Sequence, residues 1–386
     1  MYDTTVGKKY IIDFEKLLPG DIILESGKKL HSKAIQRYTN SHYSHAMICL
    51  HKSSLFHATT DGIFTINAQR ILVEEKEDLE VFRPKIPLTN YEAEELVKFL
   101  RSKVGTLYSI KEAAIAGKKE RPEKTKNRMQ FCSRLIAQAY AYIGRNIVKN
   151  PDYCQPAELE RSDSLDVVPL MILKATKEEI DFTSTKNYVL ENQISTYNWL
   201  KKTRKYAVSI FQYHKIFSQQ DIMNFIIEYP KANEFVCGFI RKSGYLENYK
   251  TEIESNLYRI NANLFIERYE ELDSIPNHVF KEFELIQEYV DRTIDNYIIA
   301  SNNYINYSNQ YFELEKNLYE TLLSVILKKY TVLIEVCNYF LLENLKNKNF
   351  ENLEISSIVM NNMNYINFHI NKLIQLGITE YIYMKE

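Results

Sequence analysis

Before Asn90 the chain alternates short apolar runs with turn formers; after it, apolar residues recur at helical intervals. Leu18-Pro19-Gly20-Asp21-Ile22-Ile23-Leu24 reads as a turn leading into an apolar strand, with Asp21 as the carboxylate that steadies the turn. His31 to Tyr38 is a short helix or loop. Ser41 to Leu50 alternates and is rich in strand formers, and Leu55 to Thr60 is a second strand closed by the turn dipeptide Asp61-Gly62. Ile63 to Asn67 and Leu79 to Phe82 add further strands. The pattern predicts an antiparallel meander that needs helices over one face. A helix runs from Asn90 to about Lys103, and another starts near Cys132, where Leu135, Ile136, Ala139, Tyr140 and Ile143 share one side and Gly144 supplies the stop.

Beyond Ile180 the texture changes. Seven of the nine prolines and seven of the ten glycines precede residue 176. The remainder is rich in Tyr, Asn, Ile, Leu, Lys and Glu. Ser218-Gln-Gln-Asp221 is a capping-box start, and helical repeats run through Leu285 to Tyr297, Leu318 to Leu342 and Asn361 to Ile374, ended by Gly377. Residues 322–342 are apolar nearly all round and should be buried. A boundary at about 176–186 gives two domains, 1–178 and 179–386, the second all-helical. His214, His278 and His369 stand alone there and read as structural.

Composition narrows the function classes. A formal net charge of -1 over 386 residues gives no electrostatic case for nucleic acid or acidic membranes. Five scattered cysteines form no C-x-x-C pair, so neither a disulfide framework nor a zinc ribbon is expected. The N-terminus lacks a signal-peptide core, and the apolar run at Val167 to Leu173 is broken by Pro169 and too short to span a bilayer. The expectation is a cytoplasmic chain with no transmembrane segment.

The chemistry concentrates on three side chains. Cys132 falls at a helix start, where unpaired N–H groups and the helix dipole favour a thiolate. A free thiol with a pKa of about 8.5 is only roughly 3% thiolate at pH 7, and a drop of about two units would make thiolate the majority form. If the hairpin turns at His51-Lys52-Ser53, His45 and His57 face each other across adjacent strands. One imidazole could then act as base while the other holds its tautomer. His42, His45, Cys49 and His57 could be drawn as a zinc site, but residues three apart on a strand face opposite ways, so no metal or other cofactor is expected. Lys118, Lys119, Arg121, Lys124, Lys126 and Arg128 make a basic loop before the Cys, either a solvated loop or a flap that attracts an anionic substrate.

Leu18–Ile23, Ser44-His45-Ala46, Phe56-His57-Ala58, Val104-Gly105-x-x-Tyr108, Phe131-Cys132-Ser133-x-Leu135-Ile136 and Gln155-Pro156-Ala157-x-Leu159, in that order, resemble the circularly permuted branch of the NlpC-type papain-like cysteine hydrolases, the YiiX/YebB-like group. The resemblance covers roughly residues 15–175. It implies an α+β, papain-like domain in which His precedes Cys, with Cys132 as nucleophile and His45 as general base. The third polar position falls on His57, where permuted members often carry Glu; a His agrees better with the unpermuted relatives and with lecithin-retinol-acyltransferase-like enzymes. Tyr108 matches a tyrosine linked to oxyanion stabilisation in the unpermuted relatives. The Cys132 N–H is a natural oxyanion donor, with Tyr108 or Gln130 as seconds.

The expected function is a cysteine hydrolase, of amidase or peptidase type, cleaving an amide or related acyl bond through a thioacyl-enzyme. The same three residues could serve a lipid acyl hydrolase or acyltransferase, so the substrate is a peptide, an amide or an acyl lipid. A third reading makes the first domain a scaffold and the helical domain the part that binds a protein partner, in an effector or defence system, or that self-associates.

Overall fold

The computed structural model describes residues 9–28, 30–60, 62–118, 120–125, 127–269, 271–346 and 353–381. Asp61 of the expected turn, and Lys119 and Lys126 of the basic loop, lie outside them. The chain divides into two compact units, Met1–Phe225 and Ile226–Glu386. The first unit thus runs past the boundary expected at 178.

That unit is α+β. Its strands are β1 (Tyr10–Ile12), β2 (Ile22–Glu25), β3 (His45–His51), β4 (Ser54–Thr59), β5 (Gly62–Asn67), β6 (Leu79–Pro84), β7 (Leu165–Val167) and β8 (Ile172–Lys174). Its helices are α1 (Leu30–Thr39), α2 (Asn90–Arg101), α3 (Ile110–Ala116), α4 (Cys132–Tyr142), α5 (Pro156–Glu160), α6 (Lys177–Ser184) and α7 (Tyr188–Phe211), followed by α8 (Asp221–Glu228), within which the division falls. Six strands form one antiparallel sheet in the order β5-β4-β3-β2-β6-β7, and β1 pairs with β8 separately. The strands β2, β3, β4 and β5 follow one another as an antiparallel meander, with α1 inserted between β2 and β3. The segment after β5 returns across the sheet so that β6 lies beside β2, pairing Ile22 with Phe82. The outer β5 is covered by α7, whose Gln193 Nε2 donates to Thr65 O at 2.7 Å, which blunts an edge that would otherwise invite pairing.

Strand alternation builds a core on each face. Ile22, Leu24, Ala46, Ile48 and Phe56 pack against Leu135, Ile136, Ala139 and Tyr140 of α4 and Leu96 and Leu100 of α2. Ile23, Met47, Cys49, Leu55 and Val81 pack the other way, against Ile12, Leu17, Ile71 and Met171. Asp21 accepts from Leu18 N at 2.9 Å and takes both forks of Arg83 at 2.7 Å, which pins the turn before β2. Gly20 (φ +92°) has no substitute there: a Cβ would lie 2.6 Å from Leu88 Cδ1.

The second unit is helical, with α9 (Asn233–Arg241), α10 (Asn248–Ser255), α11 (Ala262–Arg268), α12 (Ile275–Tyr307), α13 (Gln310–Lys346) and α14 (Leu353–Gln375). The middle of α13 is buried as its sequence requires, through Leu323, Ile326, Tyr330, Leu333, Val336 and Phe340. Gly377 takes φ +79° after α14. His278 stacks on Tyr269 at 3.7 Å, and His369 lies among Phe283, Tyr330, Tyr365 and Phe368. Among the described residues, no helix is long and apolar enough to cross a membrane.

Candidate active site

The β3–β4 hairpin turns on Lys52-Ser53, with an irregularity between Cys49 and His51. His57 therefore stands opposite Met47, two residues from the register that would oppose it to His45. A slip of two preserves side-chain parity, so the imidazoles still share a face, now as diagonal neighbours. His45 Nε2 and His57 Nδ1 are 3.1 Å apart, with ring centroids at 5.3 Å. Burial lowers His45 to about 3, helped by His57, and lowers His57 to about 4. Both rings are neutral at pH 7.

Cys132 occupies the first position of α4, after Phe131 in extended conformation. The β3–β4 ladder ends at the Met47–His57 pair, and the next amide along β3, that of Ala46, favours the anionic form of the Cys132 thiol. The N–H groups of Cys132 and Ser133 add to it, while the Ser133 hydroxyl donates elsewhere, to Cys154 O. These donors pull the thiol pKa down, as a helix start should, but burial outweighs them and the net shift is upward. The expected low-pKa thiolate is thus corrected: the desolvation of a side chain 6% exposed exceeds the help of the amides. Among the described residues, no hydrogen bond joins Sγ to an imidazole, and His45 Nε2 is turned to His57.

Cys132, His45, His57 and Tyr108 nevertheless line one cavity of about 900 Å³. Tyr108 is placed by backbone bonds on both sides, Gln130 N–H to Leu107 O (3.0 Å) and Ser109 N–H to Gln130 O (2.7 Å). Burial, then the neighbouring Cys132, push its phenol pKa upward, so it remains a hydroxyl donor. Gly105, before it, adopts φ +70° and its N–H bonds Ile63 O at 3.1 Å. Gln130 is placed differently from the expectation. It is buried, its Nε2 donates to Gln138 Oε1 at 2.7 Å, and it is not part of the cavity wall. Cys49 shares a face of β3 with His45 but is enclosed in the core with Leu55 and Ile71, its thiol on Lys52 O, while exposed His42 faces Asp78 at 3.6 Å, so neither joins the imidazole pair. Among the described residues no group of three or more His, Cys, Asp or Glu is placed to hold a metal.

Three residues that the sequence did not single out hold the site. Arg134, two positions after the thiol and fully buried, pairs with Glu112 Oε2 (2.7 Å), donates to Met129 O (3.0 Å) and Asp152 O, and lies 4.5 Å over the Phe131 ring. It thereby fixes the turn that delivers Cys132. The sequence showed only its place, a cation beside the apolar stripe of α4, and not its partners. Cys154 contributes a second thiol to the cavity wall, and its carbonyl accepts from Ser133 Oγ at 2.8 Å. Arg70 lines the far wall. The basic loop is partly neutralised, because Arg121 forks onto Glu158 at 2.6 and 3.0 Å and Arg128 pairs with Asp221 at 2.9 Å.

No family model matches the chain, and no curated protein matches it. Among solved structures, it is similar to the metalloprotein yiiX from Escherichia coli O157:H7, at 17% identity and a TM-score of 0.31, over 39% of this chain and 95% of that one.

Proposed function

We propose that the first unit is a cysteine hydrolase acting on an amide or related acyl bond. The observation that carries this reading is the meeting, in one cavity, of a thiol at a helix start and a pair of imidazoles 3.1 Å apart. Cys132 Sγ attacks the carbonyl carbon as its proton passes to His45 Nδ1. That role fixes the tautomers: His45 carries its resting proton on Nε2 and donates it to His57 Nδ1. The developing oxyanion takes hydrogen bonds from the Cys132 N–H and the Tyr108 hydroxyl. His45 then returns the proton to the leaving group, and water, activated by the same imidazole, hydrolyses the thioacyl-enzyme. The unliganded state holds neutral thiol and neutral imidazole, so the transfer accompanies substrate binding. Catalytic hydrogen bonds that form only in the complex are common in such sites.

A second reading, an acyl-lipid ester or an acyl-transfer substrate, is favoured by the apolar wall of Ile35, Met47, Ile66, Ile71, Leu72 and Phe131. The test is Cys132→Ala, expected to remove hydrolysis, by at least about 10³-fold, of whichever of a panel of peptide amides and acyl esters the wild type cleaves. The melting curve should stay nearly unchanged. Full biological effect in Cys132→Ala would instead favour the scaffold reading, with a partner or a second copy bound by the helical unit.

A further inference from the structure

Arg70 makes more polar contacts with a distant segment than a wall residue needs. Its Nη1 donates to the carbonyls of Phe182 (3.3 Å), Thr183 (3.4 Å) and Thr185 (2.9 Å), and its Nη2 to Thr185 Oγ1 and Lys186 O, both at 3.0 Å. Its guanidinium also lies 4.5 Å from the centre of the Phe182 ring. These acceptors are the last carbonyls of α6 and the link into α7, where the helix dipole favours a cation. The planar fork serves five acceptors spread over four residues, where an ammonium has three donors on one atom. Arg70 is also part of the cavity wall, and Ile71 and Leu72 follow it there. This stretch is tied at one end by Ala68 N–H to Ser53 O (2.7 Å) and at the other by the Val73–Tyr10 bonds (2.9 and 3.1 Å). Arg70 is the anchor between them.

We propose that Arg70 is a positioning residue: by gripping the α6–α7 junction it holds the Ile71-Leu72 wall in place, and so sets which acyl group the cavity accepts. The substrate class is an acyl group with an extended apolar chain. This rests on the cysteine-hydrolase reading and deepens it, because it gives the segment after the sheet a share in substrate choice. Each chain methylene moved from water to the apolar wall favours association by up to about fourfold, so even partial burial of a short chain amounts to roughly tenfold or more.

The experiment follows alkylation of Cys132 in the full chain, by peptide mass, with chloroacetone and with its octyl analogue 1-chlorodecan-2-one, which carries the chain on the carbonyl as an acyl group does, at pH 8.5. It needs no turnover. In the wild type the octyl reagent should react at least about tenfold faster. Arg70→Ala should cut that preference to threefold or less, with the octyl rate falling more than the parent rate. Arg70→Lys, which keeps the charge and loses the fork, should fall between and serves if the alanine variant does not fold. A wild-type ratio near one, an unchanged ratio in both variants, or equal loss of both rates would overturn the proposal. Failure of the hydrolase reading is separate: it would appear as undiminished hydrolysis by Cys132→Ala.

Discussion

A thiol at a helix start is subject to two opposed effects, and at Cys132 their balance decides the resting chemistry. The amides of Ala46, Cys132 and Ser133 favour the anion, while burial disfavours it more strongly and leaves the pKa raised. The two histidines are pushed the same way, toward their neutral forms. Neither partner is charged until something else enters the cavity, and that entry also displaces water and brings a carbonyl to polarise. In the unliganded protein, the rate of Cys132 modification by iodoacetamide should therefore still be rising at pH 9. A rate that levels off by pH 7 would mean that the imidazole pair already holds the thiol proton at rest. Peptide mapping across a pH series reads this directly, because the other four cysteines are buried and each reports separately.

At the scale of elements, α4 carries both the nucleophile and the cation that places it. Arg134 is completely enclosed and answers Glu112, two backbone carbonyls and the Phe131 ring. Removing one member of such a pair leaves the other as an uncompensated buried charge. Arg134→Met should cost about 3–5 kcal/mol in denaturant unfolding, and adding Glu112→Gln should recover part of it. A loss below 1 kcal/mol would show that water reaches the pair. Short apolar or alternating runs between turn formers sufficed to find β2 to β5, and the apolar stripe with Gly144 sufficed to find α4. Parity also survived the error in hairpin register, since a two-residue slip returns each side chain to its own face. Long-range pairing was not legible. β1 and β8 are three residues each, too short for periodicity, and β6 lies beside β2 through a return that no local signal encodes. The role of Arg134 was equally hidden, because its acceptors come from Met129, Asp152 and Glu112, which approach only in the folded chain.

At the scale of the whole molecule, proton linkage gives the imidazole pair of the first unit and Glu315 of the second opposite responses to pH. In the first unit, His45 and His57 ionise near 3 and 4 when folded, against about 6.5 when unfolded. Between these values the unfolded chain binds more protons, so stability is lost as pH falls from about 6.5 toward 4, by up to about 1.4 kcal/mol per pH unit for each ring. In the second unit, burial raises Glu315 to about 7, although the Tyr311 hydroxyl donating to it at 2.6 Å favours the anion. Here the folded chain holds the extra proton, so this residue's contribution is lost as pH rises from about 4.5 through 7. His278 and His369, lowered mainly by burial, act on the second unit in the acid direction. The two responses therefore have to be isolated by difference. Relative to wild type, His57→Asn should flatten the melting temperature between pH 6.5 and 4, and Glu315→Gln should flatten it between pH 5 and 7. Wild-type and variant curves that stay parallel in both windows would mean that these groups titrate as they do in water. The sign of each slope then becomes a test of burial at the imidazole pair that needs no substrate, which makes it the earliest check on the geometry on which the proposed catalysis depends.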